Sequence, residues 1–282
     1  MKVGLLVSVG LGLDTLVKVN ESYQVSCVFT DRNSLEIISF CETNQLPIFI
    51  GNPRGSKGFR FAKNHEIEVL VSVNYLFLIE DDLIDYPSIT TFNLHGSLLP
   101  KYRGRTPHVW AIINNEKETG ITAHQINKGC DTGGIIEQLK ITINPEDTGA
   151  DILEKYKKNY FPLVKRVLDK IESDNLVVTE QNNGEATYFG KRTPDDGEIN
   201  WDWTKERINN WIRAQASPYP GAFFHYKNEK VIIDKIKYSS FGYDYADENG
   251  KILATSPKVL IKTPNGAISL EIIRNKENTF FE

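Results

Sequence analysis

The 282-residue sequence holds three cysteines, Cys27, Cys41 and Cys130, and no CxxC pair among them. That usage offers neither a zinc framework nor a set of disulfides and fits a reducing cytoplasm. No apolar run approaches the roughly 20 residues that a membrane-spanning helix needs, so no membrane partner is expected. An excess of positive charge is also missing. The formal net charge is −4 and the pI about 5.8, which gives no electrostatic reason to expect a nucleic acid. His65, His108, His124 and His225 have no metal-ligand spacing, and no metal is assigned. Internal repeats and low-complexity segments are lacking. Gly10-Leu11-Gly12-Leu13-Asp14 lacks the third glycine of a dinucleotide fingerprint and reads as a plain strand-to-helix turn. The apolar start, residues 1–9, has no small-residue cleavage site behind it and reads as a first strand, not a signal peptide.

What is present is a core-forming composition, 40% hydrophobic and 25% charged, in a chain long enough for a large domain and a small one. Short Val-, Ile- and Phe-rich runs at residues 2–9, 24–29, 47–50, 69–73 and 91–94 predict buried strands. Residues 34–44 and 58–65 carry apolar residues at helical spacing between them. This rhythm predicts an α/β fold, a Rossmann-like parallel sheet with helices on both faces. Residues 121–126 and 134–143 add strands. A long helix is expected over residues 151–173, with Leu153, Tyr156, Tyr160, Leu163, Val167 and Ile171 on its apolar face and Pro162 kinking it. Beyond a polar, turn-rich stretch at 191–197, a helix over 204–216 precedes short strands at 222–226, 230–236, 251–254, 258–263 and 267–273. Such spacing predicts a small C-terminal β-barrel or sandwich. The expected domains are 1–189 and 190–282. Trp201, Trp203 and Trp211 are expected to pack the junction between them.

The densest polar signal is Asn93-Leu94-His95-Gly96-Ser97-Leu98-Leu99-Pro100-Lys101-Tyr102-Arg103-Gly104. Asn93 and His95, two apart on a strand, point to one face at its carboxyl end, where open α/β sheets bind ligands. A second signal runs from Gly120-Ile121-Thr122 to Cys130-Asp131-Thr132-Gly133-Gly134, a strand entering a glycine-rich loop around one carboxylate. A buried histidine needs a partner to fix its tautomer, and Asp131 suits that task. Arg103 and Arg105 are spaced to reach a phosphate or a carboxylate, or to sit as solvated loop charges. Tyr75 and Tyr102 suit a ligand pocket or ordinary core packing.

These two segments together resemble the folate-dependent formyltransferase family in spacing and order. Ala123 and Lys128 depart from that family's commonest choices. The resemblance implies a catalytic set of Asn93, His95 and Asp131, and 10-formyltetrahydrofolate as formyl donor. It places the donor's pterin beside residues 74–83 and the Asp131 loop, with Tyr75, Leu76, Leu83, Gly129 and Asp131 around it. Ser97, Tyr102, Arg103 and Arg105 stand as acceptor-binding candidates.

Phe189-Gly190-Lys191-Arg192-Thr193-Pro194-Asp195-Asp196 and Pro218-Tyr219-Pro220-Gly221-Ala222-Phe223 resemble the branch that formylates 4-amino-4-deoxyarabinose on a UDP carrier, where a small barrel-like (OB-like) domain follows the catalytic one. The implied partner is a nucleotide-linked amino sugar, dTDP- or UDP-bound, of the kind used in lipopolysaccharide or O-antigen. The C-terminal domain would support the enzyme or form a homodimer. A methionyl-tRNA formyltransferase is the alternative. That branch carries a basic insertion after the second strand, and Phe29-Thr30-Asp31-Arg32-Asn33 shows none. The chemistry is consistent with a sugar amine. Its pKa lies nearer the ~8 of an α-amino group than the ~10.4 of lysine, so much of it is neutral and nucleophilic at cell pH. Attack on the formyl carbon places negative charge on the former carbonyl oxygen. Asn93 can donate to that oxygen. His95 can take the excess proton or help hold the oxyanion, and Asp131 can orient His95 and assist the leaving nitrogen.

Overall fold

A computed structural model describes residues 1–281. Two compact units are present, Met1–Gly104 with Gly120–Ile141 and Lys155–Tyr188, and Arg105–Thr119 with Thr142–Glu154 and Phe189–Glu282. The last crossing between them lies between Tyr188 and Phe189, and two earlier excursions of the chain group with the C-terminal segment.

In the first unit β1 (Lys2–Val7), α1 (Val9–Ser22), β2 (Gln24–Thr30), α2 (Leu35–Thr43), β3 (Ile48–Ile50), α3 (Lys57–Ala62), β4 (Val69–Val73), α4 (Asp81–Ile84) and β5 (Thr90–His95) alternate; the strands and the helices α2 and α3 fall where the sequence pattern predicts, and α4 is an addition to it. The Gly10–Gly12 segment lies in the first turn of α1. The chain continues with β6 (Arg103–Gly104), α5 (Pro107–Ile113), β7 (Glu118–Gln125), β8 (Ile135–Thr142), α6 (Gly149–Glu172) and β9 (Tyr188–Phe189), of which α5 lies wholly in the second unit. The main sheet runs β3-β2-β1-β4-β5-β7-β8. Its first five strands are parallel, but β7 lies antiparallel to β5. Alternating apolar runs read the same in either direction, so the sequence pattern could not give this reversal.

Strand side chains such as Leu5, Leu6, Phe29, Val71 and Phe92 are fully buried. Each contributes about 1.5–3 kcal/mol by leaving water. One layer against the sheet joins Leu6, Cys27, Phe29, Ala62, Ile67, Leu70 and Leu83. Within α6, Tyr156, Tyr160, Leu163, Val164, Val167 and Leu168 are buried, and the helix continues through Pro162. Leu153 stands exposed, contrary to the expected stripe, while its neighbour Ile152 is buried. The apolar face therefore begins one residue earlier.

The second unit contains α7 (Lys205–Ala214), β10 (Ala222–Tyr226), β11 (Glu229–Ser239), β12 (Ile252–Ala254), β13 (Leu260–Thr263) and β14 (Gly266–Ile273). These strands form a curled antiparallel sheet in the order β10-β11-β14-β13-β12, the barrel-like domain expected. Trp201, Trp203 and Trp211 pack on this unit's own core of Ile208, Ile212, Phe224, Val231 and Ile268, which corrects their expected place at a junction. The hydrophobic side of α7 and the inner face of the sheet supply the apolar surface they cover.

Candidate active site

Asn93 and His95 lie at the carboxyl end of β5, two residues apart and on one face. The antiparallel register sets His124 of β7 directly opposite Asn93, and Thr122 opposite His95. Opposed residues on one face lie within side-chain reach, and the Asn93 amide nitrogen is 3.3 Å from His124 Nε2. His95 is buried, and its Nε2 lies 2.8 Å from the carbonyl oxygen of Tyr102. A carbonyl only accepts, so Nε2 carries a proton and donates it. The other ring nitrogen, Nδ1, faces Asp131 Oδ1 at 3.6 Å.

Asp131 sits between two imidazoles, with His124 Nε2 at 3.7 Å from the same oxygen. Its other oxygen accepts the Gly104 N–H at 2.9 Å and the Cys130 thiol at 3.5 Å. Burial alone would push the carboxyl pKa up. The His95 imidazole, the Gly104 N–H and His124 outweigh that and hold it below the usual carboxylate range. His124 moves the other way: burial pushes it down to about 4, against the attraction of Asp131, so the ring stays neutral at cell pH. The result is a row of amide, neutral imidazole, carboxylate and second imidazole, lined up as an oxyanion donor and a proton relay would be.

Two family models match the chain. One, described as formyl transferase, covers residues 53–168, and one described as formyl transferase, C-terminal domain, covers residues 191–279. Together they span nearly three quarters of the sequence. The chain belongs to the formyl transferase family.

Solved structures of this fold include WlaRD, a sugar 3N-formyl transferase crystallised in the presence of dTDP and 5-N-formyl-THF. It is 23% identical, with 98% of this chain and 99% of that chain covered and a TM-score of 0.74. An N-formyltransferase from Helicobacter canadensis in complex with folinic acid and dTDP-3-aminofucose is 22% identical over 96% of this chain and 98% of that one, with a TM-score of 0.74. A 4-N formyltransferase from Francisella tularensis is 22% identical over 82% and 96%, with a TM-score of 0.70. At this level of identity the likeness is one of fold.

Within this family member the other expected site residues divide. Tyr75 is half-buried beside the sheet core, and its hydroxyl is enclosed without a hydrogen-bond partner. Burial, with the charge of Asp31, pushes its pKa up. Leu76 is exposed, and so is Gly129, whose N–H donates to Asn127 Oδ1. Leu83 is 2% exposed and belongs to the core layer, so it lines no open site. Ser97 is likewise enclosed, its hydroxyl donating to the Lys101 carbonyl within the tight turn that follows β5. Tyr102 contributes its backbone carbonyl to His95.

Arg103 corrects the expectation of a free phosphate-binding cation. It is 1% exposed, and its guanidinium donates to Gln181 Oε1, Asn183 Oδ1 and the Tyr188 hydroxyl. A cation so enclosed is held by its acceptors and cannot reach a diphosphate without losing them. Arg105 belongs to the second unit and is exposed, its backbone N–H donating to the Phe189 carbonyl.

His124, without metal-ligand spacing in the sequence, and Gln181, without any motif around it, are two further polar side chains that meet Asp131 here. The available signal for His124 was Thr122-Ala123-His124 on a buried strand, the same two-residue polar alternation as Asn93-Leu94-His95.

Proposed function

We propose that this chain transfers a formyl group from 10-formyltetrahydrofolate to the amine of a nucleotide-linked amino sugar, a dTDP- or UDP-linked 4-amino sugar. The observation that carries the reading is the convergence of Asn93, His95 and Asp131 at the end of β5 in a formyl transferase. Only residues 31–34 separate β2 from α2, and they hold one arginine, which leaves no basic insertion to grip a tRNA phosphate backbone. The exposed apolar Leu76 and Leu78, on the segment that follows β4, suit a flat heteroaromatic ring such as the donor's pterin. The donor supplies the activated formyl carbon.

The roles of the residues follow from their atoms. Asn93 turns an amide N–H toward the oxygen that becomes negative. Removing such a donor costs about a hundredfold to a thousandfold. His95 has its Nε2 proton committed to Tyr102, so Nδ1 is the nitrogen left to take the proton that the attacking amine sheds. Asp131 faces that nitrogen and stabilises the charge it gains. His124, neutral and enclosed, keeps Asn93 and Asp131 apart and oriented. Of the two motif arginines Arg105 is the exposed one.

Residues 1–189 would form the catalytic domain, and residues 190–282 would support it or join two copies. Among the described residues no helix is long and apolar enough to cross a membrane. A cytoplasmic enzyme supplying lipopolysaccharide or O-antigen precursors fits this reading. The test is formyl transfer from 10-formyltetrahydrofolate to a panel of dTDP- and UDP-linked amino sugars beside charged initiator tRNA. Sugar formylation with weak salt dependence is expected. Efficient formylation of the tRNA with every sugar refused would replace this reading by the tRNA one.

A further inference from the structure

Asp131 sits at φ 56, the left-handed region, which is costly for a residue with a Cβ and persists only when the surroundings hold it. The loop is held from two sides. On one, Gly133 lies so close to β7 that a Cβ there would stand 1.8 Å from the Gln125 carbonyl oxygen, and the Gln125 N–H bonds the Gly134 carbonyl. On the other side Gln181 bonds two of the loop's backbone carbonyls. After α6 the chain returns alongside β8, where Thr179 and Ile135 exchange two backbone hydrogen bonds. Two residues further on, the Gln181 amide group donates to the Asp131 carbonyl at 2.9 Å and to the Gly133 carbonyl at 2.7 Å.

The opposite end of that amide faces Arg103, whose Nε and Nη2 donate to Gln181 Oε1 at 3.1 and 2.6 Å. Turning the amide over would set its NH2 against a guanidinium and its oxygen against two carbonyls, so its orientation is fixed from both ends. Arg103 is anchored in turn by Asn183 Oδ1 at 2.9 Å, by the Tyr188 hydroxyl at 2.5 Å, and by its own N–H on the Thr187 carbonyl.

We propose that Gln181 is a positioning residue for the reaction: it locks the backbone under Asp131 so that the carboxylate stays opposite His95, with Arg103 as its buried anchor. The inference rests on the reading of Asp131 as part of the reacting centre. What matters is the donor end of the amide. Contact with Arg103 fixes the group, while the two N–H bonds to the loop set where the carboxylate stands.

Two near-isosteric variants of the full chain separate these halves. Gln181→Glu keeps an oxygen for Arg103 but turns a second oxygen onto the Asp131 and Gly133 carbonyls. Gln181→Met removes both functions. Both should lower kcat at least tenfold, with KM for donor and acceptor within about threefold of the parent. The Gly104 amide, whose N–H bonds the Asp131 carboxylate, should exchange its hydrogen at least tenfold faster, while amides of β1 and β4 exchange as before. The exchange measurement needs no turnover, so it tests the lock even if the parent protein formylates none of the acceptors, a result that would count against the proposed function alone. If Gln181→Met melts too early to assay, Gln181→Glu decides by itself. Turnover within twofold of the parent in Gln181→Glu, or unchanged Gly104 exchange, would overturn the proposal. So would a tenfold rise in KM at unchanged kcat.

Discussion

Asp131→Asn exchanges a carboxylate for an amide of the same shape at the centre of the polar row. Asp131 Oδ1 lies 3.6 Å from His95 Nδ1 in a largely enclosed setting. A unit charge gained by the ring at that distance is attracted by about 4 kcal/mol at the effective dielectric of a protein edge. A transition state that has placed most of a proton on His95 therefore loses about 3 kcal/mol when the carboxylate is gone. At about 1.4 kcal/mol per tenfold, turnover falls about a hundredfold. The fold loses far less. Asn can still accept the Gly104 N–H, so only the charge-assisted part of that bond disappears, about 1 kcal/mol. The depressed pKa of Asp131 also shapes the acid limb of stability. A carboxylate whose folded pKa lies below its unfolded value stabilises the fold above the unfolded value, and this is lost as pH falls through the folded one. The Asn variant should be flatter with pH there. Single-turnover formyl transfer and melting curves from neutral pH to about pH 3 measure both effects. A variant that keeps more than a tenth of the parent's turnover would refute the charge-stabilising role of Asp131.

The remaining expectations concern single side chains. His95→Asn keeps a hydrogen-bond donor and removes the base. Turnover should drop at least a hundredfold, and near-normal turnover in steady-state assays would leave His95 no part in proton transfer. Gly96→Ala would set a Cβ 2.7 Å from Tyr156 Cε2, on the ring whose hydroxyl bonds the Gly96 carbonyl. Urea denaturation should show a loss of about 1–3 kcal/mol from overpacking, and an unchanged midpoint would mean that the helix carrying Tyr156 yields freely. Burial pushes His108 and His124 from the ordinary 6.5 down to about 4. Between those values the unfolded chain takes up protons that the folded chain refuses, so stability should fall as pH drops from 6.5 towards 4. Equal melting temperatures at about pH 7 and pH 5 would show that these rings protonate in place.

The sequence by itself determined the strands of the first half and the polar residues of the candidate site. Helical and strand periods in the first half gave the order of β1 to β5 because burial on a sheet imposes its spacing locally. Asn93 and His95 were legible as a pair for the same reason: two residues apart on a strand is one face, whatever the rest of the chain does. The motif around Asp131 supplied its partner. Only the tertiary structure decided what surrounds them. The reversal of β7 against β5, which puts His124 beside Asn93, depends on pairing between strands about thirty residues apart and leaves no trace in local spacing. Arg103 looked like a free loop cation because the amide and hydroxyl oxygens that enclose it come from residues about eighty positions later. Gln181 was unreadable on the same ground. A single polar side chain acquires its role from the groups it meets, and those meet only when the chain behind α6 returns along β8.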